Sequence, residues 1–244
     1  MPKKKANFDW SILDRKGIAE FITLLEPAVT GKLITTVKFH KLLAAHIKKY
    51  LPVNVTRSTD PKVDSGWVYT GGTYFSHNDQ LKQKCIEILF VYRTNETKFI
   101  IPVRRFRRIA LTIADTILHE IIHMRQYRRR KFKELPDYAS TAEKTKKKEE
   151  QSYLGCSDEI DAYGFNIACE LLQKFRGDTH AVVDYLNENQ KGLRRRHNGW
   201  RMYLKAFDYD HDHKIIKRVK SKVIRYLPRA EIGKPFKSSD WICY

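Results

Sequence analysis

The chain has few cysteines and no long apolar run. Its four cysteines, at positions 85, 156, 169 and 243, lack the close pairing of a cysteine metal site and indicate a reducing compartment. No apolar run approaches the length of a membrane span, and the opening sequence MPKKKANFDW has no apolar signal core. These absences argue against a disulfide-stapled secreted domain and against an integral membrane protein, and they predict an intracellular, cytoplasmic protein.

The chain is also poor in acidic residues relative to basic ones. Aspartate and glutamate number 28 against 47 lysines and arginines, which gives a net charge of +19. The basic residues cluster in five stretches, at 104–108, 125–133, 144–148, 191–201 and 214–225. Because such charge attracts polyanions, nucleic acid and acidic proteins are candidate partners. The alternative is a solvated surface that keeps the protein soluble, and no recognisable DNA-binding motif is present.

The hydrophobic content of 42% is enough for a sizeable core, and its patterning predicts both helices and strands. Segments rich in β-branched and aromatic residues, bounded by turn-forming residues, predict strands at 52–58, 67–75 and 86–93. Apolar periodicity predicts helices at about 11–26 and 36–50. The expected class is α+β, predominantly helical, with a small mixed sheet.

The most informative motif is HEIIH at positions 119–123. His119 and His123, four apart on a helix, would project from one face and can bind one Zn²⁺. Glu120 would lie next to the metal's open position, where it can take a proton from a zinc-bound water. From Arg107 onward apolar residues recur at helical spacing, which predicts a buried helix. A metal would give these polar side chains, and Asp115, a shared partner. The alternative is that both histidines are core residues hydrogen-bonded to neighbours.

A third ligand is predicted on the next helix. Ser157 is interpreted as its N-cap, with acidic residues in the first turn. Glu159 and Tyr163 share a face that can look at the metal, with Glu159 as the ligand. Asp158 and Asp161 point away from that face and are interpreted as supporting or capping acids. Taken by itself, the segment also fits an ordinary acidic helix N-terminus.

HEIIH followed by a helix of the form E-x-D-A-Y-x-F resembles the gluzincin arrangement, with HExxH on one helix and a glutamate ligand on the next. The second helix is similar to the E-x-E-A-x-x-F-A pattern of IrrE/ImmA-type metallopeptidases of bacteria and mobile elements, over about residues 107–175. The resemblance implies a zincin-like fold, in which a small mixed sheet precedes the HExxH helix and its edge strand binds an extended peptide. It also implies that His119, His123 and Glu159 hold Zn²⁺ and that Glu120 is the general base.

The residue that would stabilise the oxyanion is left open by the sequence. Tyr163 and His213 are candidates, with His211 and His197 as competitors. The alternative for the region around the two C-terminal histidines is a polar loop in which Asp212 caps the amphipathic helix that follows.

Together these patterns predict one metallopeptidase domain over 1–244, with N-terminal helices at 1–50, a metal-binding core at 51–175 and a basic helical part at 176–244. Between the two metal-binding helices, 134–152 is expected to be a mobile flap or an unstructured charged loop. The expected function is zinc-dependent hydrolysis of peptide bonds by glutamate-assisted attack of a zinc-bound water, in a protein of phage or mobile-element origin.

Two other functions stay open. The first is a basic nucleic-acid-binding protein with a structural or relic metal site. The second is a metal-dependent hydrolase of a non-peptide substrate, since HExxH also serves deformylase-type chemistry. Salt-sensitive DNA binding without proteolysis would favour the first, and a metal site without a peptide groove would favour the second.

Overall fold

The computed structural model describes residues 15–135, 145–193 and 198–230. The chain divides into two compact units, 1–125 and 126–244, and the boundary lies inside one long helix, α5 (Val103–Arg129). Whether the chain acts as the single domain expected from the sequence stays a prediction.

The first unit carries all the strands of the described residues. In chain order it contains α1 (Arg15–Thr23), α2 (Glu26–Val29), β1 (Leu33–Thr35), α3 (Thr36–Tyr50), β2 (Asn54–Asp60), β3 (Val68–Tyr74), α4 (Ser76–Gln80), β4 (Ile86–Arg93), β5 (Lys98–Ile100) and most of α5. β2 pairs in parallel with β4, β3 pairs antiparallel with β4, and β1 and β5 form a separate antiparallel pair. The predicted small mixed sheet is therefore confirmed, and the bounds of its three strands differ from the predicted ones by at most two residues.

The core of the first unit forms around Phe39 of α3. Along β4 buried and half-buried residues alternate, as expected for a strand with one face on a core. The ring of Phe39 makes edge-to-face contacts with Tyr92 of β4, Phe99 of β5 and Phe106 of α5. Such contacts favour aromatic pairs beyond the area they bury. The sheets, α3 and the start of α5 are thereby joined in one apolar cluster.

Helix α5 is the buried helix that the sequence predicts. Its residues Ile109, Ile113, Ile117 and Ile121 recur every four positions and are fully buried. One expectation about it is wrong. The carboxylate of Asp115 accepts hydrogen bonds of 2.6 and 2.8 Å from the guanidinium of Arg15 on α1, so an arginine, and not a metal, is its partner.

The second unit is helical throughout its described residues. It contains the end of α5, α6 (Lys146–Gly155), α7 (Ser157–Lys174), α8 (Thr179–Asn187), α9 (Gly199–Ala206) and α10 (Lys214–Ala230). Trp200 and Tyr203 of α9, with apolar residues of α7, α8 and α10, form its core. Taken with the strands of the first unit, this confirms the mixed α+β class. Among the described residues, no helix is both long and apolar enough to cross a membrane.

Two local expectations differ from the structure. Helix α6 lies partly within 134–152, where a loop was expected; the Oγ1 of Thr145 accepts a hydrogen bond of 3.3 Å from the Lys148 amide and so caps this helix. Positions 136–144 of that stretch lie outside the described residues. Helix α7 begins one residue earlier than expected, with Cys156 at its N-cap and Ser157, the predicted N-cap, as its first residue.

Candidate metal centre

The two motif histidines occupy the interior of α5, in the first unit. His119 and His123 are each 7% exposed, and their Nε2 atoms lie 3.0 Å apart. Two nitrogens bound to one tetrahedral zinc at ~2.0–2.1 Å would lie roughly 3.3 Å apart. Two imidazoles in this arrangement can share a proton or a metal ion, and the prediction that they project from one helix face holds.

Glu120 lies against the edge strand β3. A Cβ placed on Gly72 would lie 2.5 Å from the Glu120 Oε1 and 2.7 Å from its Cγ, so a larger residue at this position would displace the carboxylate. One turn earlier the hydroxyls of Thr70 and Thr116 are 3.0 Å apart and join the same strand to the same helix. The Gly71–Gly72 pair thus lies within a regular strand, and it permits the close approach of the 5% exposed Glu120.

Glu159 lies in the first turn of α7, in the second unit, and is 4% exposed. The side chain of Tyr153, on α6, is hydrogen-bonded with Glu159 and with Tyr163. Burial of its hydroxyl end, together with these two neighbours, raises the pKa of Tyr153 far above its ordinary value, although the residue as a whole is 46% exposed. The phenol therefore stays protonated and can donate to the buried carboxylate.

The two acids on either side of Glu159 have cationic partners. Both oxygens of Asp158 accept from the guanidinium of Arg130, at 2.6 and 2.7 Å. Asp161 accepts at 2.6 Å from the Nζ of Lys222 and at 3.0 Å from the Tyr226 hydroxyl. Burial raises the pKa of Asp161, but its hydrogen bonds and the charge of Lys222 outweigh burial and hold that pKa below its ordinary value.

Gln126, in the last turn of α5, connects that helix end with α7. Its Nε2 donates to the backbone oxygen of Asp158 at 3.1 Å and to the carboxylate of Asp161 at 3.3 Å. Gln126 follows His123 by three positions, so this turn continues the histidine-bearing helix. The contacts fix the first turn of α7, which carries Glu159, to the end of α5.

His119, His123 and Glu159 form a buried group that could hold a metal ion, since each offers a ligand atom and these atoms all lie within 4.8 Å of one another. Two imidazole nitrogens and one carboxylate oxygen are the donor set of a catalytic zinc site. The donor set and its spacing therefore fit a divalent metal, and they leave the identity of that metal open.

The candidates for oxyanion stabilisation have different surroundings. Tyr163 is linked to Glu159 through Tyr153, and its ring packs edge-on against Tyr203 at 5.8 Å. His213 stacks on Phe207 at 4.6 Å, and its Nδ1 accepts a hydrogen bond of 3.2 Å from the amide of Ile215 at the start of α10.

These contacts show that His213, not Asp212, caps α10; Asp212 forms an exposed ion pair with Lys217. His211 lies beside Trp200, with ring centroids 6.2 Å apart. His197 lies outside the described residues. The catalytic roles suggested for Tyr163 and His213 stay predictions.

Sequence reasoning missed Gly72 as a neighbour of the motif, and it missed Tyr153 as a partner of Glu159. Gly72 belongs to the strand predicted at 67–75, and the strand pattern does not indicate which helix residue lies against it. Tyr153 lies on α6, a helix with little amphipathic periodicity, so no pattern pointed to it. Comparison with protein-family models, with curated proteins and with solved structures finds no match to this chain. The function is therefore inferred from the chemistry of the site.

Proposed function

We propose that this protein is a zinc-dependent peptidase of the gluzincin type. The observation that carries the proposal is the buried group of His119, His123 and Glu159, whose ligand atoms lie within 4.8 Å of one another. A zinc ion held by this group would supply a Lewis acid that activates water and polarises the scissile carbonyl. To bury two imidazole nitrogens of an HExxH helix and a carboxylate oxygen of α7 within reach of one another is costly in free energy, unless a cation is bound among them.

Glu120 is the general base in this proposal. Its carboxylate is held between α5 and β3 by the close packing at Gly72, so its position relative to the histidines is restricted. There it accepts a proton from the attacking water and delivers that proton to the amine that leaves. Since Glu120 is 5% exposed, bulk solvent has little access to its carboxylate.

Strand β3 is the proposed binding site for the substrate backbone. Within the described residues it pairs with β4 on one side and is an edge of the three-stranded sheet. An extended peptide can add to such an edge by main-chain hydrogen bonds. Because Gly72 of β3 lies against Glu120, a peptide bound along this edge would place its backbone near the proposed base.

Metal binding is the first test of the proposal. Protein purified without chelator or added zinc is expected to contain about one equivalent of zinc, measured by atomic emission. The variant His123→Ala should lose it, whereas His180→Ala, an exposed histidine on α8, should keep it. Absence of metal from the wild type, even after addition of zinc, would contradict the proposal.

Hydrolysis is the second test. The wild type is expected to cleave bonds in an unfolded protein or a mixed peptide library, and Glu120→Gln should keep its zinc while losing at least about 1000-fold in rate. An active Glu120→Gln variant would refute the mechanism. A zinc-loaded wild type that cleaves no peptide would instead indicate the non-peptide hydrolase.

A further inference from the structure

The second unit contains a cavity of about 590 Å³ that does not include the candidate metal ligands. Its walls are the last turn of α5, the first turns of α7 and one face of α10. None of His119, Glu120, His123 and Glu159 lines it. Its chemistry is therefore separate from that of the proposed peptidase site.

Positive charge dominates this cavity. Within the described ranges of the chain it is lined by six cationic side chains, Arg129, Arg130, Lys217, Arg218, Lys222 and Arg225, and by two acidic ones, Asp158 and Asp161. Each acid is already engaged, Asp158 by Arg130 and Asp161 by Lys222. Four cations therefore remain in excess of the carboxylates that line the cavity.

These four cations are exposed and weakly neutralised. Lys217 pairs with Asp212, whose side chain is 92% exposed and lies outside the cavity. Arg218 donates at 2.9 Å to the neutral hydroxyl of Ser157. Arg129 and Arg225 pair with no carboxylate within the described part of the chain. A concave surface with unbalanced cations concentrates field lines and attracts anions.

The cations of α10 lie in a row. Positions 214, 217, 218, 222 and 225 lie on one face of the helix at about 100° per residue, whereas the opposite face, which includes Ile216, Val219 and Val223, is buried. From Lys214 to Arg225 the row extends roughly 16 Å along the helix axis. One strand of nucleic acid presents about five phosphates over that length.

The cavity walls favour a phosphate backbone over a peptide. Among the residues that the structure describes, the apolar ones that line it are Leu135 and Ile160, and none of its lining residues is aromatic. An acidic peptide would need apolar pockets for its other side chains, and recognition of bases would need stacking platforms. A row of exposed cations with neither feature suits the repeated charge of a sugar–phosphate chain.

From these observations we infer that this basic cavity and the cationic row of α10 bind the phosphate backbone of nucleic acid, without sequence preference. The inference goes beyond the proposed peptidase function and does not depend on it. A peptidase that carries this surface would be held on nucleic acid, and its substrates would be proteins found there.

Anisotropy of fluorescent DNA oligomers of about 20 nucleotides, single-stranded and duplex, tests the inference. The test variant combines Arg129→Gln, Arg218→Gln and Arg225→Gln. These side chains are exposed, so the fold should be retained, as thermal unfolding would verify. We expect affinity at ~0.1 M salt to fall at least about tenfold, and the salt-dependence slope to fall by about 2 to 3.

The matched control removes three exposed lysines of α3 in the first unit, as Lys38→Gln, Lys41→Gln and Lys48→Gln. It loses the same charge and should change affinity by no more than about twofold. Equal weakening in both variants would overturn the inference in favour of a general charge effect. Failure of the wild type to bind either oligomer would also overturn it, as would tighter binding of poly-glutamate, which would indicate an acidic protein partner.

Discussion

The histidine half and the glutamate half of the candidate site are held in place by different means. His119 and His123 belong to one helix, and their 3.0 Å approach follows from a spacing of four residues on that helix. Glu159 comes 36 positions after His123 on another helix. Its location depends on hydrogen bonds and ion pairs made by its neighbours, Asp158 and Asp161, with Gln126, Arg130 and Lys222.

The difference shows how adjacent acids on one helix take different roles. The guanidinium of Arg130 neutralises Asp158, and Lys222 neutralises Asp161. Tyr226 and Gln126 donate further hydrogen bonds to Asp161. Glu159, between them, meets the neutral hydroxyl of Tyr153 and belongs to the group with the two imidazoles. The flanking acids therefore hold the first turn of α7 through their cationic partners, whereas Glu159 belongs to the group that could hold a metal ion.

Exchange of these acids for their amides should separate the two roles. Glu159→Gln removes the charged ligand. We expect it to lower zinc affinity by more than about 100-fold, because loss of a residue that only supports a ligand already lowers metal affinity by up to about 100-fold. Asp158→Asn should retain zinc, and it should lower the free energy of unfolding by about 1–3 kcal/mol because the charged hydrogen bonds from Arg130 are weakened.

Zinc titration against a competing chelator and urea unfolding give the two readouts. If Asp158→Asn lost zinc as completely as Glu159→Gln, the acids would not differ in role, and the assignment of Glu159 as the ligand would fail.

The histidine half was predictable because its signals are local. Apolar residues every four positions predicted a buried helix, and the motif spacing placed both histidines on one face of it. The strands were predictable for the same reason, since their segments are rich in β-branched and aromatic residues and are bounded by turn-forming residues. Asp115 was misassigned because its partner, Arg15, lies 100 positions earlier, and such pairings leave no trace in periodicity.

The packing of β3 on α5 gives a second prediction, for the histidine half alone. Gly72→Ala would place a Cβ 2.5 Å from the Glu120 Oε1, so the carboxylate must move. We expect zinc to be retained and kcat/KM for peptide hydrolysis to fall about 10- to 100-fold, since displacement of a catalytic group by ~1 Å has effects of this size.

The neighbouring glycine supplies the control. A Cβ on Gly71 would meet no atom within 4 Å, so Gly71→Ala should leave hydrolysis unchanged. Equal losses in the two variants would point to general damage to β3. No loss in Gly72→Ala would show that the position of Glu120 is not critical.

The glutamate half was predictable only in part. The spacing of the acidic residues indicated Glu159 and set Asp158 and Asp161 apart from it, but the predicted N-cap at Ser157 placed the helix start one residue too late. The cap at Cys156 has no side-chain hydrogen bond, so the sequence offers no capping signal there. Tyr153, Arg130 and Lys222 reach the first turn of α7 only after the chain folds, and their contacts are set by tertiary packing.

The position of Glu159 depends on the packing of α7 against α10. A substitution at the contact of these two helices should therefore disturb Glu159 and leave the positions of His119 and His123 unchanged. A Cβ on Gly164 would lie 2.8 Å from the Cβ of Lys222, an atom near the backbone that cannot move without shifting its helix. Gly164→Ala should therefore lower the free energy of unfolding by about 1–3 kcal/mol through overpacking. The displaced Lys222 would also hold Asp161 less well.

Gly155→Ala, at the end of α6, is the matched control for this variant in the same unit. Its Cβ would lie 3.7 Å from the Cδ1 of Ile215, which is an ordinary contact. The free energy of unfolding of this variant should therefore be unchanged or slightly higher. Because the histidines lie on α5, Gly164→Ala should lower zinc affinity by a few-fold at most, far less than Glu159→Gln. A loss of zinc affinity in Gly164→Ala as large as that in Glu159→Gln would mean that both halves of the site depend on α7–α10 packing. The histidine half would then not be fixed by its own helix alone, and the contrast with the glutamate half would fail.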